Sequence, residues 1–255
     1  MTLKQKITKH QLTIGSWITI GHPTVAEIMA KAGFDWLAID MEHSALSMAQ
    51  CQELIRVVDL CGVPALVRVG KNDPLLIKQA MDAGACGVIV PMINSKEEAM
   101  AAVSSVKYPP SGTRGVGLAR AQGYGASFQE YRKWVEKESV VIVQIEHIKA
   151  VEHLKDILSV EGVDAFLVGP YDLSGSLGVP GDFDHPKMKA ALEKIRNDSA
   201  LLKRKIPTGY HVVSSDAKLV EEKIKQGYKF ISFGVDFLFL GENCRSGLGT
   251  LKKYE

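Results

Sequence analysis

Cysteine is scarce in this chain and never usefully paired. Cys51, Cys61, Cys86 and Cys244 form no Cys-x-x-Cys and no zinc-ligand spacing. They read as free thiols of a reducing compartment, which excludes a disulfide scaffold. Long apolar runs are missing too, and no stretch approaches the length of a membrane span. Met1 to Gln11 is polar and lysine-bearing, without the apolar core of a signal peptide. Neither sign of charge dominates: 31 Lys and Arg oppose 29 Asp and Glu, for a net charge of +2. The lysines are dispersed, so no basic run suits nucleic acid. There is no low-complexity tract and no linker. The expectation is a soluble, cytoplasmic protein with one domain over residues 1–255.

What the chain does have is alternation of short apolar runs with helical patterns. Strands are expected at Leu12–Ile20, Trp36–Asp40, Pro64–Arg68, Gly87–Met92, Val140–Ile145, Ala165–Val168, Thr208–Val213 and Phe230–Phe233. Their near-continuous β-branched character is that of strands buried on both faces. Helices are expected at Pro23–Lys31, Ser47–Leu60, Asp73–Gly84, Ser95–Val106, Phe128–Lys137, Ile148–Leu158, His185–Lys203 and Asp216–Gln226. Another opens after Gly169. Tyr108–Gly125 reads as a long Gly/Pro-containing loop, and such loops are usually functional. Eight alternations in a chain of this length argue for a single (β/α)₈ barrel over an open doubly wound sheet.

In a barrel the chemistry sits at the C-terminal ends of the strands. Strand two ends in Asp40-Met41-Glu42-His43, strand three in Arg68, strand five in Gln144 and Glu146, strand six in Gly169 and Asp172, and strand seven offers His211. Taken singly, each has a bland reading. Glu146 and Asp172 suit helix N-caps, His43 a rim residue paired with Glu42, and Arg68 a rim ion pair. Taken together they describe a reaction site. Two carboxylates on one rim, beside an amide, suit a hard divalent cation. Such a cation polarises a carbonyl or stabilises an enolate. Arg68 adds fixed positive charge at a developing oxyanion, and His43 moves a proton near neutral pH. The amides that open the helix after Gly169 can hold a carboxylate. This set fits carbon–carbon cleavage or formation through a 2-oxo-acid enolate. Schiff-base chemistry is disfavoured, because no lysine lies inside an expected strand and Lys229 precedes strand eight on the wrong face.

The motifs also resemble those of the HpcH/HpaI class II pyruvate aldolases. The similar segments are Ala32–Ser44, Val88–Met92, Tyr108–Gly117, Val143–Glu146, Glu161–Asp164 and Gly169–Ser174, within a span from about Gly15 to Gly181. The resemblance implies a metal-dependent (β/α)₈ aldolase, with Mg²⁺, Mn²⁺ or Co²⁺, that cleaves 4-hydroxy-2-oxo acids to pyruvate and an aldehyde. It implies that His43 accepts the proton, Arg68 stabilises the transition state, and Asp82 raises the basicity of the histidine. It further implies Glu146 and Asp172 as metal ligands, and Gln144, Gly169, Tyr171 and Asp172 at the substrate. Hexamers with sites near subunit contacts are usual in the family. Asp82 lies roughly 12 Å down its helix from the rim, so a neighbouring subunit would have to present it to His43; the competing reading is that Asp40 or Glu42 serves the histidine locally and Asp82 is a helix-surface residue.

The last quarter departs from the pattern. Strand seven carries Tyr210 and His211 where the family has small and apolar residues, and Val235 replaces a serine in a Gly-Ser-Asp triplet. These changes touch the choice of aldehyde, with Tyr210 and His211 as candidate selectors and a structural rim residue as the alternative reading of His211. Related readings use the same enolate site: a decarboxylating synthase, or a citrate or malyl-CoA type lyase, which would need a nucleotide-binding basic surface. A non-catalytic binding protein would be expected to lack one of His43, Arg68, Glu146 or Asp172, and all four are present.

Overall fold

The computed structural model describes residues 1–202 and 204–252. In chain order the elements are α1 (Leu3–Thr8), β1 (Thr13–Ile18), α2 (Pro23–Lys31), β2 (Trp36–Asp40), α3 (Met48–Leu60), β3 (Ala65–Arg68), α4 (Pro74–Ala83), β4 (Gly87–Val90) and α5 (Lys96–Val106). A 3₁₀ segment at Arg120–Gly125 precedes α6 (Phe128–Glu138), β5 (Val140–Ile145), α7 (Ile148–Glu152), α8 (Leu154–Leu158) and β6 (Ala165–Val168). The chain continues through α9 (Pro170–Ser176), α10 (Pro186–Ala200), β7 (Thr208–Val212), α11 (Ala217–Lys225), β8 (Phe230–Val235) and α12 (Asp236–Leu251). The eight strands pair in sequence order, all parallel, and β8 returns to β1 to close the barrel. The (β/α)₈ expectation is therefore met.

Alternation along the strands divides the core. Trp17, Trp36, Ala38, Leu66, Ile89, Ile142, Leu167 and Phe230 fill the barrel interior, while Ile18, Leu37, Ile39, Val67, Val88, Val143, Phe166 and Ile231 pack outward against the helices. Trp36 and Phe230 stack at 4.5 Å across the lower interior. Helix starts follow their local chemistry. Ser47 and Gln50 form a capping box on α3, and the Asp73 carboxylate accepts from the amides of Leu75 and Leu76 ahead of Pro74 on α4.

Four details differ from the expected elements. Met1–Gln11 is not a plain polar lead. It forms α1, which buries Leu3 and Ile7 under the barrel. Lys4 pairs with Asp164, and Lys6 with Asp35 at 2.6 Å. The helix expected over Ile148–Leu158 is two short helices broken at His153. The helix expected over His185–Lys203 runs from Pro186 to Ala200, with His185 as its cap, and Lys203 lies outside the described residues. Finally, a sixteen-residue helix, α12, follows β8, and only Asp236 of it is buried. That carboxylate accepts from the Thr19 amide (2.8 Å), the Thr19 hydroxyl (2.6 Å) and the Ile20 amide (2.8 Å), so it locks the end of β8 to the end of β1.

Candidate active site

The C-terminal rim brings together most of the residues singled out by sequence. Asp40 and Arg68 are register partners on β2 and β3. Arg68 donates to both Asp40 oxygens, Nε to Oδ1 at 2.9 Å and Nη2 to Oδ2 at 2.5 Å. Its Nε also lies 3.4 Å from Glu42 Oε2. The guanidinium sits over the Trp17 ring, 4.3 Å from its centroid. Asp40 further accepts from the backbone amides of Glu42 and His43, which fixes the turn carrying both. Burial works to raise the Asp40 carboxyl, but the hydrogen bonds and charge of Arg68 outweigh it and hold the group below its ordinary value. His43 is exposed, with Nε2 3.9 Å from Glu42 Oε2.

The opposite side of the rim is built by β5 and β6. Glu146 is 2% exposed; its Oε2 accepts from the Gln144 amide at 2.6 Å and its Oε1 from the Met92 amide at 2.7 Å. Met92 holds a left-handed φ of 54° to present that amide, a strained conformation of the kind found at functional sites. Gly169 is required by close approach, since a Cβ there would lie 2.6 Å from Glu146 Oε2. Asp172, in the first turn of α9, is exposed. Burial pushes the Glu146 carboxyl up to about 7; the Met92 amide opposes this, while the charges of Glu42 and Asp172 add to it. Glu42 is likewise pushed up to about 7 by burial, against the charge of Arg68 and with help from Asp40 and Asp172.

The mouth thus concentrates carboxylates whose negative charge is poorly compensated by the one guanidinium. Among the described residues no three His, Cys, Asp or Glu side chains form a ready-made metal cage. Glu146 nevertheless feels the charge of Asp172, and the buried Oε1 of Gln144 has no hydrogen-bond partner among the described residues, so the oxygens offered on this side are two carboxylates and an amide. That set fits a hard divalent ion such as Mg²⁺, which is commonly held by one or two carboxylates and keeps positions for water and substrate.

Two candidates fall elsewhere. Asp82 pairs with buried Arg114 near the end of α4 and makes no contact with His43 of its own chain. Tyr210 faces outward: its ring packs 5.3 Å from Tyr228 and lies 4.1 Å from the Lys223 ammonium. His211, the next residue, faces inward and stands 5.3 Å from the Trp17 ring. Sequence reasoning missed Trp17 beneath Arg68, the Asp40 clamp and the Met92 amide. Strand alternation from Gly15 and the pairing of neighbouring strand ends were the signals for the first two. Nothing local signalled the third.

The chain matches the family model described as HpcH/HpaI aldolase/citrate lyase over residues 13–241. It is 40% identical over 207 residues to a hydroxypyruvate/pyruvate aldolase of Sagittula stellata, covering 81% of each chain. It is 39% identical over 183 residues to a 4-hydroxy-2-oxo-heptane-1,7-dioate aldolase of Escherichia coli, covering 71% of this chain and 70% of that one. The fold superposes on the crystal structure of an HpcH/HpaI aldolase/citrate lyase family protein from Burkholderia cenocepacia with a TM-score of 0.91, at 31% identity and 98% coverage of both chains. A barrel with this rim, matched by the family model over nearly its whole length, belongs to the HpcH/HpaI aldolase/citrate lyase family.

Proposed function

We propose that this chain acts as a single-domain, cytoplasmic class II pyruvate aldolase, reversibly cleaving a 4-hydroxy-2-oxo acid to pyruvate and an aldehyde. The observation that carries the reading is the juxtaposition of Arg68, Gln144, Glu146 and Asp172 on one rim, with buried Glu146 oriented by the Met92 amide. Relatives at about 40% identity that are named for pyruvate aldol chemistry support it.

Glu146 and Asp172 would hold a divalent cation, Mg²⁺, Mn²⁺ or Co²⁺. When bound, it supplies Lewis acidity to the 2-oxo group. Gln144, Tyr171, Gly169 and Asp172 line the place for the pyruvate half. In cleavage, His43 takes the proton of the 4-hydroxyl. The C3–C4 bond breaks, the aldehyde carbonyl forms, and the electron pair remains on C3 as the enolate of pyruvate. Arg68, held rigid between Asp40 and Trp17, places positive charge at the enolate oxygen. Protonation at C3 then gives pyruvate. Four unpaired thiols support the reducing, cytoplasmic placement, and among the described residues no helix is long and apolar enough to cross a membrane.

The unit is a homo-oligomer in this reading, with a hexamer as the form the family resemblance implies. Phe237, Leu240, Leu248 and Leu251 of α12 are each at least half exposed and, with exposed Cys244, share one helical face. A second copy of the chain is the partner such a face suits. Asp82 completes the site of a neighbour by serving its His43. Screening pyruvate against aldehydes, with product identified and with chelator as control, tests the activity. No carbon–carbon bond formed with any aldehyde would overturn it. Mixing Asp82→Ala with Asp172→Ala subunits should regain activity if sites are shared. Sedimentation showing a monomer at micromolar concentration would exclude the oligomer.

A further inference from the structure

Neighbouring helices of the outer layer pack on one another from α2 to α5, whereas α10 and α11 stand apart over β7. The gap between them is a cavity of about 420 Å³. Tyr210 and Val212, which pack outward from the barrel, line it together with Leu192 of α10 and Leu219 of α11. The cavity also holds two cations that the mechanism above does not use, Arg196 from α10 and Lys223 from α11. Neither forms an ion pair among the described residues, although their neighbours Lys189 and Lys194 do. Lys223 is half-buried. Its ammonium lies 4.1 Å from the centroid of the Tyr210 ring and 5.9 Å from that of Tyr228. Ring faces attract an ammonium, but they leave its three donors without the oxygen acceptors that a lysine can serve.

The charges around the cavity favour an anion. Burial holds the Lys223 ammonium below its ordinary value; Glu222 opposes this, and the positive charge of Arg196 adds to it. An anion set beside both cations relieves their mutual repulsion and stabilises the charged lysine. Of the two carboxylates on the lining, Asp184 is 3.0 Å from Lys189 and Glu222 is exposed. Arg196 and Gln226 also border a second cavity of about 400 Å³ toward the bottom of the barrel. Lys205 and Lys229 line that one, with no carboxylate among the described residues. Two cations without partners suit a dianionic head that offers several acceptor oxygens, and a phosphate monoester carries close to two negative charges near neutral pH. The ring of Tyr210 and the side chains of Leu192 and Leu219 suit the organic body of such a molecule.

We propose that the cavity between α10 and α11 binds a small organic phosphate monoester, its phosphate held by Lys223 and Arg196 and its body resting against Tyr210. This site goes beyond the aldolase reading and does not depend on it.

The probe is phenyl phosphate, titrated by calorimetry into the Mg²⁺-loaded protein. Binding should saturate in the millimolar range or below. Phenol, which lacks the charge, and benzoate, which carries a single charge, should each bind at least about tenfold more weakly. Lys223→Met keeps the length of the side chain and loses the ammonium. It should weaken phenyl phosphate by about tenfold or more, the loss of one charge-assisted hydrogen bond, whereas Lys223→Arg should retain most of the affinity. A second readout needs no variant. Acetylation of Lys223 in the wild type, followed by peptide mass spectrometry, should slow when phenyl phosphate is present, while exposed Lys218 on the same helix reacts at an unchanged rate. If Lys223→Met fails to fold, this protection carries the test. Absence of saturable binding, or phenol or benzoate binding as tightly as phenyl phosphate, overturns the proposal. So does an affinity untouched by Lys223→Met, or a Lys223 that phenyl phosphate leaves unprotected.

Discussion

Arg68 and Asp40 face each other across adjacent strand ends and are joined by two parallel hydrogen bonds, with the guanidinium plane resting on Trp17. Only a planar fork can make both bonds and the ring contact together. A lysine at this position keeps the charge but loses its direction. Arg68→Lys is therefore expected to lower kcat by about a hundredfold to a thousandfold, the usual cost of one oxyanion stabiliser, with KM changing less. Steady-state kinetics decide the point, and a change confined to KM would reassign Arg68 to ground-state binding.

Glu146 gives a pH signature that needs no turnover. Its folded value of about 7 exceeds the ordinary 4.5, so without a cation the folded state holds the proton more tightly than the unfolded chain. The associated stability is fully present below about 4.5 and is lost as pH rises through 7. In EDTA, the stability of the wild type relative to Glu146→Gln should fall between pH 5 and 8, at up to about 1.4 kcal/mol per pH unit. Saturating Mg²⁺ or Mn²⁺ should reverse the trend, because the cation favours the ionised carboxylate. Parallel profiles for the two proteins, measured by denaturant unfolding, would contradict this account of Glu146.

Gly169 is fixed by space rather than by backbone freedom, as its position 2.6 Å from Glu146 Oε2 leaves no room for a methyl group. Gly169→Ala should displace the Glu146 carboxylate, destabilise the fold by about 1–3 kcal/mol and weaken the thermal shift produced by Mn²⁺ at least tenfold in apparent affinity. An unchanged Mn²⁺ titration would remove Glu146 from the cation site.

The barrel was legible because its strands are continuous apolar runs and its helices carry ordinary caps, so local and global preferences agree. Glu146, Asp172, Gln144 and Arg68 were legible because a parallel barrel sends every strand end to one rim. Other features depend on pairings no single segment contains. Tyr210 and His211 are neighbours with opposite fates, one in the helix layer and one in the mouth, and which is which follows from the register with Ser232. α1 escaped notice because only Leu3 and Ile7 of its short polar segment are buried. α12 was equally obscure, since its glycines weaken the helical pattern and its face of Phe237, Leu240, Leu248 and Leu251 stays exposed among the described residues. Asp82 shows the limit most clearly: the chain pairs it with Arg114, and its tie to His43 rests on the family resemblance and a second subunit.

The central claim is that this rim generates the enolate of pyruvate with the help of a divalent cation. The most direct measurement is the loss of the pyruvate methyl proton signal in deuterium oxide, followed by proton NMR with no aldehyde present. Exchange should require the protein, fall roughly a thousandfold or more after EDTA, return with Mg²⁺, Mn²⁺ or Co²⁺, and be absent in Glu146→Gln whatever the metal. Full exchange by exhaustively chelated protein, or by Glu146→Gln, would contradict the account.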